Sequence, residues 1–166
     1  MRNLVALLAF LIVPLAAFAA EKDAPSGEVI LTVRGLIENT NDGDRMTFDR
    51  AMLEKMPVTS FKTSTNWTEG EHEFTGVLLS DLLAAVNATG SKLRATALND
   101  YTVEIPVSDA RKGGPIIAYA IDGKAMSVRD KGPLWVVYPY DSAAEYRSET
   151  IYSRSIWQLD RVEVVE

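Results

Sequence analysis

The 166-residue chain has no cysteine and a single histidine, and these two scarcities exclude much chemistry at once. Without a thiol there is no cysteine nucleophile, no thiolate metal site and no redox disulfide. The one histidine, His72, lies between Glu71 and Glu73. Alternate residues of an extended stretch face opposite sides, so the two carboxylates share a face that the imidazole does not, and the stretch reads as a solvated acidic loop rather than a metal site. There is no Gly-x-Ser-x-Gly elbow to place a serine nucleophile and no Gly-rich loop of the P-loop or dinucleotide type. Basic residues are also few, 17 against 23 acidic ones for a net charge of −6, so nucleic acid is not an expected partner. Asp141 and Glu145 could be paired for acid–base work, but among 23 acids such pairs arise by chance.

What is present suits one globular domain. At 47% hydrophobic the chain can bury a core without disulfide staples. Residues 1–20 read as a signal peptide: Arg2 gives a positive start, residues 4–13 are apolar, and Ala17-Phe18-Ala19 offers small residues at a cleavage site. A retained membrane anchor is the rival, but Pro14 interrupts the run, and a bilayer needs about 20 apolar residues. Residues 21–27 read as a flexible lead, and residues 28–166 as the single domain.

Hydrophobic periodicity outlines the elements. Val29, Leu31 and Val33 alternate with Ile30, Thr32 and Arg34 as a strand stopped by Gly35, and residues 39–44 form a turn cluster. Asp49 can cap a short helix carrying Met52, Leu53 and Met56, which Pro57 ends. Residues 58–66 read as a strand. Leu78, Leu79, Leu82, Leu83 and Val86 recur at helical spacing, with Ser80 and Asp81 in the first turn. Further strands are expected over 92–98, 101–105 and 116–121, with turns at Asn99-Asp100 and Asp122-Gly123. The apolar run 134–138 predicts a central strand buried on both faces, and the alternating run 161–165 an edge or half-buried one. Short helices among many strands indicate an α+β fold with a mixed β-sheet.

Several ordered blocks carry a resemblance. Phe74-Thr75-Gly76-Val77-Leu78-Leu79-Ser80-Asp81-Leu82-Leu83, Ile117-Ala118-Tyr119 with Asp122-Gly123, Gly132-Pro133-Leu134-Trp135-Val136-Val137-Tyr138-Pro139, Ser155-Ile156-Trp157 and Arg161-Val162-Glu163 together resemble the molybdopterin-binding domain of the sulfite oxidase family. Taken by themselves these blocks are scaffold: Gly76-Val77-Leu78 reads as a tight turn feeding a helix, and Gly132-Pro133 launches a strand. A fold of this kind does not by itself fix an activity.

The resemblance implies a cysteine-ligated molybdenum, the cysteine following the strand before the Gly-Val-Leu block and preceding a tryptophan. Aligned on Trp67, that position falls at about Thr63, followed by Ser64. A neutral hydroxyl is a poor substitute for a soft thiolate. The resemblance also implies a cofactor-holding lysine before the last tryptophan, where this chain has Ile156 before Trp157. Arg154 is the candidate substitute, or a plain surface arginine. Cytoplasmic loading of such a cofactor goes with a twin-arginine signal, whereas Met1-Arg2-Asn3 has one arginine, which points to a Sec-type route to the periplasm or exterior.

Between Tyr138 and Trp157 the chain is rich in groups that bind rather than react, namely Tyr138, Tyr140, Asp141, Tyr146, Arg147, Tyr152, Arg154 and Trp157. The expected site is a cleft lined by Thr63, Ser64, Trp67, Tyr138, Arg147, Arg154 and Trp157. Each aromatic taken singly is also readable as an ordinary core residue. Two functions stay open. One is an exported, non-catalytic binding or sensing module without a cofactor, taking a small anionic or polar ligand or a periplasmic or membrane protein partner. The other is an oxidoreductase holding molybdopterin non-covalently through Arg147 and Arg154.

Overall fold

The computed structural model describes residues 24–166; the expected signal peptide lies outside the described residues. Ten strands and three short helices follow in the order β1 (Val29–Gly35), β2 (Arg45–Asp49), α1 (Arg50–Lys55), β3 (Val58–Ser64), β4 (Glu71–Leu78), α2 (Leu79–Ala85), β5 (Lys92–Ala97), β6 (Thr102–Pro106), β7 (Ile116–Ile121), β8 (Lys124–Ala125), β9 (Trp135–Val137), α3 (Glu149–Arg154) and β10 (Leu159–Val165). They form two sheets. The first runs β2-β1-β10-β5-β6, with β1 and β10 parallel and the other pairs antiparallel. The second runs β3-β4-β7-β8, with β9 also on β7, and is antiparallel throughout. The fold is therefore α+β with mixed sheets, as the residue pattern indicates.

Local chemistry explains the helices. The Asp49 carboxylate accepts from Met52 N at 2.8 Å and so caps α1, whose Leu53 is fully buried. Its other oxygen accepts from Ser26 N and Gly27 N at 2.8 and 2.7 Å, so the lead expected to be flexible is pinned at those two residues. These amide bonds hold the Asp49 carboxyl below its ordinary range. Helix α2 buries Leu79, Leu82 and Leu83, and its first amide is satisfied by Pro115 O at 3.0 Å rather than by a capping side chain.

Three expectations are corrected and a fourth is narrowed. Gly76 is not a turn residue: it lies within β4, beside a register shift against β7, where a Cβ would come 2.1 Å from Ile117 O. Close approach of two backbones, rather than reversal of the chain, requires glycine there. His72 also lies in β4 and not in a loop; its Nδ1 is 2.7 Å from Asp122 Oδ2, and its Nε2 is 2.9 Å from Glu69 O. The Asp122 bond, the larger of the two influences, raises the imidazole pKa. Strand β9 is not central, since it ladders only with β7 and touches Trp157 through one bridge at Trp135. Strand β10, expected at an edge or half-buried, is half-buried and runs between β1 and β5 in the middle of its sheet.

Candidate functional site

Four pieces of chain converge at one end of the molecule: the β3–β4 loop, the segment after β9, helix α3 with the residues leading into β10, and the β5–β6 turn. The second sheet supplies Thr63, Ser64 and Trp67, and the first supplies Ala97, Asn99 and Tyr101.

Thr63 is fully buried, and its hydroxyl is engaged. It accepts from Asp141 N at 3.1 Å, and its proton faces Ser64 O at 3.2 Å and Asp141 Oδ2 at 3.3 Å. Ser64 completes the knot, donating from its amide to Asp141 Oδ2 at 2.5 Å and from its hydroxyl to Oδ1 at 2.9 Å. The Ser64 amide and hydroxyl are the main reason that the Asp141 carboxyl titrates below its ordinary range; the Thr63 hydroxyl and the charge of Arg147 add to it. Thus Asp141, which in sequence pairs as naturally with Glu145, is structurally the partner of Thr63 and Ser64.

One of the two cations of the expected site is also committed. Arg154, in the last turn of α3, donates to Asp109 Oδ2 at 2.9 Å, and the buried Tyr138 hydroxyl donates to the same oxygen at 2.7 Å. Burial first, and the Asp109 bond second, drive the Tyr138 pKa far above its ordinary value. Asp109 has no flag in the sequence. It sits in a short turn after β6, and only the folded chain brings it to Arg154. Arg147 is exposed and lines no part of the cleft described next.

Trp67 is the hub of an aromatic cluster. The Thr65 hydroxyl accepts from Trp67 N and Thr68 N at 3.1 and 3.0 Å, which fixes the loop carrying the ring. The ring stands edge-on to Trp135, Tyr152 and Trp157, with centroids 5.9, 5.9 and 5.6 Å away. Behind it, Trp135 Nε1 donates to Ser155 O at 3.2 Å, and the Tyr140 hydroxyl donates to Ser155 Oγ at 2.7 Å. Burial, the dominant influence, pushes the Tyr140 phenol up to about 12. In front lies a cleft of about 320 Å³, walled by Trp67, Tyr101, Tyr152 and Trp157, with Asn99 and Ser153 among its polar groups and Ala97 and Ile156 among its apolar ones.

The structure therefore divides the seven expected site residues among four places. Thr63 and Ser64 close the polar knot, Trp67 and Trp157 wall the cleft, Tyr138 and Arg154 converge on Asp109, and Arg147 stands at the surface. Sequence reasoning missed Ala97, Asn99 and Tyr101, because the β5–β6 turn carries no motif and joins the cleft only when the first sheet assembles.

The family model for the oxidoreductase molybdopterin binding domain matches residues 32–146, most of the described chain. The chain belongs to that family. No curated protein matches it. The matched stretch includes the Thr63 knot and Trp67, while α3, Trp157 and β10 follow it.

Membership makes the donor set at Thr63 the deciding test for a resident molybdopterin cofactor. The fit is poor on two observations. The resemblance implies a cysteine thiolate on the metal at about Thr63, and here a neutral hydroxyl is buried and engaged by Asp141 and Ser64. A phosphate calls for cations, and Arg154 is held by Asp109 while the lining of the cleft contains no lysine or arginine. Among the described residues no group of three or more His, Cys, Asp or Glu side chains is arranged to hold a metal ion.

Proposed function

We propose that this member of the oxidoreductase molybdopterin binding domain family is an exported, non-catalytic binding or sensing module, working without cysteine-ligated molybdenum. One observation carries the reading: at Thr63, about where the resemblance places the metal ligand, the hydroxyl is buried and engaged by Asp141 and Ser64. The open recognition surface adjoins that corner and is formed by aromatic side chains, the type enriched where proteins bind. The apolar leader with its single arginine supports a Sec-type route to the periplasm, where the module would pass occupancy of the cleft to a periplasmic or membrane protein partner.

The test is elemental analysis for molybdenum with a fluorescence assay for released pterin, on protein isolated from its native cell envelope. The expected result is neither at stoichiometric level. Stoichiometric molybdenum would overturn the reading in favour of an oxidoreductase.

A further inference from the structure

We infer that the aromatic cleft is a receptor site for a flat, uncharged ring bearing hydrogen-bond acceptors, such as a carbonyl-substituted arene or heteroarene. This rests on the binding-module reading and names the ligand class of its site. The volume, about 320 Å³, is at the low end of small-molecule pockets, which run from about 300 to 1,000 Å³. Trp67 contacts both Tyr152 and Trp157, at 5.9 and 5.6 Å, yet those two make no ring contact with each other. Trp67 thus stands edge-on to both rings, and the cleft that the three line with Tyr101 offers aromatic surface on which a planar group can pack.

Charge selects against ions. The lining contains no Lys, Arg, His, Asp or Glu side chain, and Asp100, between the lining residues Asn99 and Tyr101, is engaged by Arg161. An anion would find no cation and a cation no carboxylate, and desolvating either without a partner is unfavourable. Hydrogen-bonding capacity sets the polarity of the ligand. Among the described residues, the indole N–H groups of Trp67 and Trp157 have no protein acceptor; that of Trp67 is not sealed from solvent, and Trp157 is an exposed residue. Asn99 accepts from Tyr101 N at 3.2 Å through Oδ1, which leaves its amide N–H groups free to donate. Indole and amide N–H groups only donate, while the Tyr101, Tyr152 and Ser153 hydroxyls can do either, so the complementary ligand carries at least one acceptor.

The experiment is a titration of the ¹⁵N-labelled mature chain with nicotinamide, nicotinate and 1-methylnicotinamide, which are a neutral, an anionic and a cationic version of one ring, read at the three indole N–H resonances. Trp135, whose Nε1 is bonded to Ser155 O in the core, is the internal reference. Nicotinamide should shift Trp67 and Trp157 saturably and leave Trp135 in place, and both ions should bind about tenfold more weakly or worse. Trp157→Ala, at a position 38% exposed, should abolish the Trp67 shift without unfolding the chain. Absence of saturable shifts, equal movement of Trp135, or tighter binding of either ion would overturn the proposal; tight binding of the cation would mark a cation–π cage instead. Failure in molybdenum-free protein strikes only the ligand class, whereas stoichiometric molybdenum strikes the reading beneath it.

Discussion

Two neighbourhoods adjoin at the β3–β4 loop and treat their polar groups in opposite ways. In the Thr63–Ser64–Asp141 corner the donors and acceptors are matched within the chain. In the Trp67–Tyr152–Trp157 cleft Trp67 touches the other two rings, but among the described residues the indole N–H groups of Trp67 and Trp157 have no protein acceptor. Satisfied polar groups define a scaffold and unsatisfied accessible ones define a receptor, because only the second gain anything when a ligand arrives. On the proposed reading, the Thr63 corner serves as scaffold and recognition falls to the cleft beside it.

Breaking the scaffold side should cost most. Trp135 is fully buried against Phe74 at 5.4 Å and behind Trp67, so Trp135→Ala is expected to lower stability by about 4 kcal/mol in denaturant titration. Arg154→Met removes the ion-pair partner of Asp109, whose side chain is 16% exposed, and leaves that carboxylate with the Tyr138 hydroxyl alone. A loss of about 2 kcal/mol is expected, reduced from a fully buried pair by the solvent that reaches both groups.

Asp141→Asn weakens the acceptors of the corner at the surface and should cost about 1 kcal/mol near neutral pH. The sign of its pH dependence follows from the depressed folded pKa: the contribution is full above the ordinary value of 3.8 and is lost as pH falls through the folded value, so the variant should flatten part of the acid limb of Tm against pH. His72 provides the opposite limb. Its pKa is raised, so the Asp122 pair stabilises fully below the ordinary value of 6.5 and is lost as pH rises through the folded value; His72→Gln should flatten the fall in Tm there. On the receptor side the effect on stability is also small, with Trp157→Ala, which removes a 38% exposed ring from contact with Trp67 and Trp135, expected to cost about 1 kcal/mol. That separation between Trp135 and Trp157, two rings in contact at 6.5 Å, is the sharpest form of the comparison.

Much of the fold was legible because local signals agreed with it. The Asp49 cap, the Leu79–Ala85 stripe and the Ile116–Ile121 run need only nearest neighbours to be read. The roles of β9 and β10 were not, for a physical reason: alternation reports how many faces of a strand are buried, not how many strands flank it. Trp135–Val137 is apolar on both faces because the aromatic cluster covers it, although it ladders only with β7, and Leu159–Val165 alternates although it is central. At the site, Trp67 and Trp157 stood out as large aromatics beside the positions where the family's ligands belong. Asp109 and the Asn99–Tyr101 turn could not stand out, since their partners lie across the fold, at Arg154 and at the aromatic cleft.

The most direct measurement compares molybdenum content in the parent and in Thr63→Cys, both produced without residues 1–20 in the cytoplasm of a host that makes the cofactor. The variant restores the thiolate while Asp141 remains beside it and Arg154 remains bound to Asp109. The account predicts substoichiometric metal in both proteins, because the whole corner, and not one side chain, has been rebuilt around internal hydrogen bonds. Full occupancy in the parent, or in Thr63→Cys alone, would contradict it.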